Sequence, residues 1–511
     1  MRQRFGLLFG PLGFATVLFF RPLGLEFEAT AVLATTLWVV VWWITEAVPI
    51  PVTSLLPIAL FPSLGVMSIS AATTPYADPI VFLLLGGFLV ALSVERWNLH
   101  QRVSLLVIDA VGVGPRALVF GFMVATAVLS MWISNTATAM MMVPIGLAVL
   151  AQLESVSEEV GPGAVDPDAG GTLTPVLADG GDGVELGELV HGLATDPESL
   201  PVTRFGVALM LGIAYGASIG GVATLIGSPP NLVFANVAES QLGTPIGFLE
   251  WMLFGLPIAA VGLVAGWATL VFVLRPRVEL TDAGQSVIRE HRAALGSIST
   301  PERRVITVFG LVAAGWITRP FLIEPIAPMV TDAVIAIAGG ILAFVVPAGN
   351  DDGGRLLDWE DASGLPWGVL LLLGAGFALA AAFRNTGLDG RAAEGLSALG
   401  GLSPVVFLAV IVCTVVALTN VTSNTATASV FMPVAAAVAL TVGTEPLSLM
   451  AGTALAASFA FVLPVATAPN AIVFSSGYLT VAEMARVGLV VSLVGITVVV
   501  LGVVLWLPVV W

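Results

Sequence analysis

The chain has 511 residues, of which 57% are hydrophobic and only 10% charged, and its mean hydropathy is +1.01. This leaves far too little polar surface for a water-soluble globule, and a formal net charge of −16 excludes an electrostatic nucleic-acid binder. All 18 basic residues are Arg, against 34 acidic ones; a high-salt host, where screening makes an acidic surface tolerable, and a codon bias toward Arg, Ala, Gly and Val both fit that balance.

Apolar runs near the roughly 20 residues needed to cross a bilayer recur about ten times. They predict an all-α polytopic membrane protein of about 11 transmembrane helices plus two re-entrant hairpins. The first run, Phe5 to Phe20, lacks a small-residue cleavage site and is expected to stay as a helix. Spans follow at 31–48, 52–67 and 79–96, then an amphipathic stretch from Asn98 to Val113, then a hairpin-like pair at 115–133 and 137–153. Further spans are expected at 204–236, 248–274, 304–319, 331–347 and 366–383. A second amphipathic stretch, 384–401, leads to a second pair, 403–421 and 426–441, and the spans 447–476 and 482–510 finish the chain.

With a cytoplasmic amino terminus, fourteen Arg fall inside and only Arg21, Arg319, Arg384 and Arg391 outside, which obeys the positive-inside rule and puts the carboxyl terminus outside. Positions 151–200 carry eleven acidic residues and no Lys or Arg, so an insert at about 151–203 is expected to be a disordered cytoplasmic loop that transport does not need. A Ca²⁺ site from Asp166, Asp168, Asp179 and Asp182 matches no Ca²⁺-loop spacing. Cys413 has no possible disulfide partner and reads as a small buried apolar residue, while His100, His191 and His291 all fall in expected surface segments.

Two identical pentapeptides organise the rest: Ser134-Asn135-Thr136-Ala137-Thr138 and Ser423-Asn424-Thr425-Ala426-Thr427. Gly86 precedes Ser134 by 48 positions and Gly374 precedes Ser423 by 49, so the halves repeat. Gly86, Gly87, Gly374 and Gly376 are expected to allow close helix packing. Downstream, Gly227-Ser228-Pro229-Pro230-Asn231 and Ala466-Thr467-Ala468-Pro469-Asn470 interrupt matching spans. Pro stops one helix and suits the first turn of the next, freeing carbonyls on one side and amides on the other. Carbonyl, hydroxyl and carboxamide oxygens suit a hard cation such as Na⁺, and the freed amides suit an anion.

No Arg or Lys lies between Ala117 and Thr203 or between Ala392 and Ala485. A bound anion would therefore be balanced by cations and by the N-termini of the helices after each pentapeptide. An enzyme lacks support, with no His-Glu-x-x-His stretch and no Gly-x-Ser-x-Gly elbow. A passive channel would not explain two occluding, cation-suited breaks.

These residues resemble the divalent-anion:sodium symporters, which carry dicarboxylates, citrate or sulfate. The resemblance rests on Trp43-Ile44-Thr45-Glu46-Ala47-Val48-Pro49-Ile50-Pro51-Val52-Thr53, on the paired Ser-Asn-Thr motifs, and on Leu463 through Phe474. It implies inverted repeats, a homodimer, and scaffold and transport domains that move as an elevator. The chain would divide into scaffold helices at 1–78, a first repeat at 79–275, connecting scaffold at 276–365 and a second repeat at 366–511. It further implies one Na⁺ on Ser130, Ser134, Asn135 and Gly227, and another on Thr419, Thr422, Asn424 and Ala466. The anion would meet Asn135, Thr136, Asn424, Thr425 and Thr467, with Ser134, Ser228 and Ser423 beside it. Ser228 and Ala468 stand where the family usually shows Thr and Pro.

Overall fold

Backbone at membrane depth must satisfy its own amides and carbonyls, so apolar runs resolve into helices. The computed structural model describes residues 2–21, 24–112, 114–159, 201–276, 283–349, 353–396 and 402–511, and every regular element in them is helical. The only β-type contact among the described residues is an isolated bridge between Pro347 and Arg355. Eight of the described helices are long and apolar enough to cross a membrane, and seven shorter ones are also apolar. The polytopic all-α expectation is therefore met.

Helix starts follow capping chemistry. Asp78 accepts the Ile80 amide at 2.9 Å and Pro79 opens the helix Pro79–Arg96. Ser299 with Glu302 and Thr480 with Glu483 form capping boxes at the starts of Thr300–Thr318 and Val481–Val510.

The two halves use the same order of parts. The first runs Pro79–Arg96, the amphipathic Leu99–Val111, the hairpin Pro115–Ser130 and Asn135–Glu159, the broken pair Pro201–Gly220 and Pro229–Val237, and Phe248–Leu274. The second runs Trp367–Asn385, Leu388–Leu396, the hairpin Pro404–Thr419 and Asn424–Val442, the broken pair Pro446–Ala457 and Ala468–Phe474, and Val481–Val510. One large apolar core runs through both halves. A smaller core joins Phe27–Thr45 and its neighbours to Trp367–Asn385.

Several expectations need correction. The span 52–67 is two short helices, Ile50–Thr53 and Leu56–Ser63, because Pro57 has no amide to continue the ladder and suits the first turn of a new helix. Helix Ala283–Ala294 was not foreseen, since its pattern is amphipathic and polar rather than apolar. Residues 151–159 and 201–203 are helical rather than loop; the remainder of the acidic insert, with His191 and the four Asp considered for Ca²⁺, lies outside the described residues. Cys413 is exposed on a helix rather than buried. His100 is buried rather than at the surface, with Nδ1 3.4 Å from the Val94 carbonyl.

The expected close-packing glycines do pack closely. A methyl at Gly86 would lie 2.6 Å from the Ala336 carbonyl oxygen, one at Gly374 2.6 Å from the Tyr76 ring, and one at Gly376 2.7 Å from Ser429 Cβ. These contacts set how near helix Pro79–Arg96 runs to Asp332–Val345, and Trp367–Asn385 to Asn424–Val442. Gly86→Ala is expected to destabilise the fold by about 1–3 kcal/mol, because backbone cannot yield as a side chain can. Gly310→Ala, where a methyl meets nothing within 4 Å, should be neutral or stabilise by up to about 1 kcal/mol. Thermal unfolding of the two purified variants checks the contrast.

Candidate ion and anion site

Each pentapeptide sits at a hairpin tip, and in both cases the helix begins at the Asn. Ser134 caps its helix by accepting the Ala137 amide at 3.2 Å; Ser423 occupies the same cap position without that bond. Residues 131–134 and 420–423 form the two tips, and residues 221–228 and 458–467 the two breaks. None of these segments contains an Asp, Glu, His, Lys or Arg.

Where tip meets break, each half builds the same cage. Ser130 Oγ lies 2.6 Å from Asn135 Oδ1 and 2.8 Å from the Ala217 carbonyl oxygen. Thr419 Oγ1 lies 2.8 Å from Asn424 Oδ1 and 2.8 Å from the Ala457 carbonyl oxygen. Both hydroxyls are fully buried. A hydroxyl has one proton, yet with the carboxamides in this orientation each faces two acceptors, so a single hydrogen serves two close oxygen contacts in each cage. A cation that accepts lone pairs from all three oxygens completes such a cluster, and the donor set suits Na⁺.

The breaks are braced identically. Asn231 donates through Nδ2 to the carbonyls of Gly221 (3.0 Å) and Thr224 (2.8 Å). Asn470 donates to those of Ala460 (2.9 Å) and Leu463 (3.0 Å). Each Asn reaches back ten and seven residues, holding its loop in one shape. Tip and break are joined by different chemistry in the two halves: the Thr224 hydroxyl donates to the Met131 carbonyl, while the amide of Val462, one position before the counterpart of Thr224, donates to Asn420 Oδ1 at 2.9 Å. The two breaks also touch each other, with Ser228 Oγ 3.0 Å from Ser458 Oγ and Tyr215 Oη donating to the Phe461 carbonyl at 3.2 Å.

Of the residues expected in the first cation set, Ser130, Asn135 and Gly227 converge around Gly221. A methyl on Gly221 would lie 2.6 Å from Asn135 Oδ1 and 2.9 Å from the Gly227 carbonyl oxygen. In the second set Thr419 and Asn424 are joined directly. The Thr422 hydroxyl is occupied by the Leu418 carbonyl at 2.9 Å and by Thr427 Oγ1 at 2.5 Å, which leaves its carbonyl as the group it can offer. Ala466 is buried in the short turn Pro464–Ala466. Thr467 Oγ1 accepts the Asn470 amide at 3.3 Å and so caps the helix that starts at Ala468. Ser134, Asn135, Thr136, Ser423, Asn424 and Thr467 are half-buried, Thr425 is buried, and Ala468 is exposed. Sequence reasoning missed Gly221, the Ala217 and Ala457 carbonyls, Ser458, and the bracing role of Asn231 and Asn470. Only the shared ten- and seven-residue spacing before each Asn could have hinted at the braces.

The halves differ in cover. Trp132 at the first tip packs against Phe248, Phe309 and Trp316 with ring centroids 4.9–6.5 Å away. Ile226 in the first break is buried, and a methyl on Gly87 would lie 3.1 Å from its Cδ1. The corresponding Val421 and Val465 of the second half are 50% and 73% exposed.

Gly221 has Ala460 as its counterpart, so the two cages respond differently to one methyl. Gly221→Ala should displace the Asn135 carboxamide and weaken cation binding by about 1–3 kcal/mol, roughly 5- to 150-fold. Ala460→Gly should leave it within about twofold. Na⁺-dependent thermal stabilisation of the purified variants measures both.

A family model described as the sodium:sulfate symporter transmembrane region matches residues 6–511. The sodium-dependent dicarboxylate transporter SdcS of Staphylococcus saprophyticus is 40% identical, over 99% of this chain and 92% of that one. The transporter of the same name from Staphylococcus aureus strain bovine RF122 / ET3-1 is likewise 40% identical, with the same shares covered. The solved structure of the Alcanivorax borkumensis YdaH transporter, described as having an unusual topology, aligns with a TM-score of 0.54 over 93% of this chain and 99% of that one. At 15% identity, that likeness concerns the fold alone. With the family pattern spanning nearly every residue and relatives this similar from end to end, the chain belongs to the sodium:sulfate symporter family of membrane transporters.

Proposed function

We propose that this protein is a secondary transporter, not an enzyme, that couples Na⁺ entry to uptake of a small divalent anion, a C4 dicarboxylate such as succinate, malate or fumarate. The observation that carries this reading is the pair of equivalent cages, each with a buried hydroxyl facing two acceptors with one proton. The printed names of the relatives, sodium-dependent dicarboxylate transporters, support both the ion and the substrate class.

In the mechanism, one Na⁺ is held by Ser130, Asn135, Gly227 and Ser134, and another by Thr419, Asn424, Ala466 and the Thr422 carbonyl. The substrate carboxylates meet Ser134, Asn135, Thr136, Ser423, Asn424, Thr425 and Thr467, with Ser228 alongside. Since no tip or break residue is ionisable, the anion's charge is balanced by the two cations and by the N-termini of the helices starting at Asn135 and Asn424. Asn135 and Asn424 serve both ion and anion, so the two bindings are linked and each raises the affinity of the other. Two hairpins and two broken helices would move together as a transport domain of inverted repeats, against a scaffold of the N-terminal and connecting helices. The reading places a homodimer in the cell membrane, amino terminus inside and carboxyl terminus outside. The family description favours a second reading, sulfate, and citrate is its neighbour; a substrate panel in Na⁺-loaded proteoliposomes separates them.

Uptake of labelled succinate into proteoliposomes should be concentrative and should collapse when choline replaces Na⁺. Equal uptake in choline would point to a Na⁺-independent exchanger, and failure to accumulate against a gradient to a channel. Asn135→Ala and Asn424→Ala should each raise the apparent constants for both Na⁺ and substrate by roughly 5- to 150-fold. With no titratable group in the site, the pH profile of uptake should follow the ionisation of the substrate, so that dilution of the dianion on acidification accounts for the whole loss of rate.

A further inference from the structure

The last turns of Phe248–Leu274 and the first turn of Pro115–Ser130 enclose a groove of about 430 Å³, lined by Arg116, Trp267, Ala268, Val271, Phe272 and Arg275. Its chemistry is two-sided. Two of the lining residues are exposed arginines, and neither Arg116 nor Arg275 meets a carboxylate among the described residues. Other arginines nearby are neutralised, Arg102 by Glu302 and Arg292 by Asp109. The rest of the lining is apolar, and Phe272, 73% exposed, has the Arg275 guanidinium 5.9 Å from its ring centroid. The groove is held in shape by the Trp267 indole, which donates to the Arg116 carbonyl at 2.9 Å and packs on Phe120 with centroids 5.0 Å apart.

Depth decides what such a groove can hold. Helix Phe248–Leu274 has 27 residues. At 1.5 Å per residue, Trp267 lies about 29 Å along the axis from Phe248, and the hydrocarbon layer is about 30 Å thick. With Glu250 and the buried Arg319–Asp332 pair at its other end, the helix delivers Trp267 to one hydrocarbon boundary and Arg275 to the headgroup layer. Indole at the boundary and arginine beyond it are the side chains that suit those two depths.

We infer that this groove binds an anionic phospholipid, with its phosphate between Arg116 and Arg275 and its upper acyl segment along Val271 and Phe272. Two uncompensated positive charges match a phosphodiester carrying a further negative group or lacking a compensating amine. The apolar wall favours a lipid over a free anion, which would leave that wall unused. The inference does not depend on which anion is transported.

The test uses the full-length protein, purified in detergent, stripped of lipid, and titrated with phosphatidylglycerol or phosphatidylcholine under native mass spectrometry. The wild type should retain phosphatidylglycerol in preference to phosphatidylcholine. The variant Arg116→Gln/Arg275→Gln should bind phosphatidylglycerol roughly 10- to 30-fold more weakly, and Arg4→Gln/Arg303→Gln, which removes the same charge elsewhere, should match the wild type. Equal retention by the groove variant, or equal loss in the control, overturns the assignment. The wild type provides a check independent of any variant's folding: soluble glycerol phosphate should fail to displace the lipid at matched concentration. Displacement would make the groove a free-anion site and defeat the lipid reading.

Discussion

A buried hydroxyl with one proton and two oxygen neighbours is an incomplete hydrogen-bond cluster, and the rest of this molecule is built to hold two of them in place. In water the shortfall would be made up at no cost. At membrane depth no bulk water is at hand to supply it. Ser130 and Thr419 end the first arms of their hairpins, Asn135 and Asn424 begin the second, and the Ala217 and Ala457 carbonyls come from the ends of the helices about to break. Each cage therefore needs a tip and a break from different parts of the chain. The asparagine braces in the breaks keep the carbonyls from relaxing away.

The duplicated architecture is symmetric at the cages and asymmetric around them. Gly221 in one half faces Ala460 in the other, Met131 faces Asn420, and Thr224 faces Leu463, yet the bracing bonds land in the same places. Selection on geometry can explain this, since a side-chain carbonyl and a backbone carbonyl are equivalent acceptors to an amide or hydroxyl donor. The cover differs more sharply: an aromatic cluster and helix Pro79–Arg96 lie over the first tip and break, while Val421 and Val465 of the second stand open. The two cages are alike, and their surroundings are not.

Charge is kept out of the site and placed at its margins. Ionised groups at membrane depth are expensive, and those present are at helix ends. Arg96 meets Asp358 and Asp361, Arg102 meets Glu302, and Arg319 meets Asp332. Tip and break instead present dipoles and neutral oxygens, a donor set that suits a cation without a permanent charge that would trap it.

Much of this was legible in the sequence. Apolar run length gave helices that match to within a few residues, as at 79–96 and 248–274, because the bilayer fixes the length a span must have. The repeated pentapeptide and the Pro-Asn breaks marked the segments that the fold brings together, because proline and small polar residues interrupt a helix at that depth. Polar helices such as Ala283–Ala294 were invisible to an apolar count, and proline split 52–67 where hydropathy alone saw one run. The cages could not be read, since half of their oxygens are backbone carbonyls, and every residue has one. Which of some five hundred carbonyls face Ser130 and Thr419, and that Gly221 must lack a side chain to let Asn135 in, was decided only when the tertiary fold brought distant segments within 3 Å of each other.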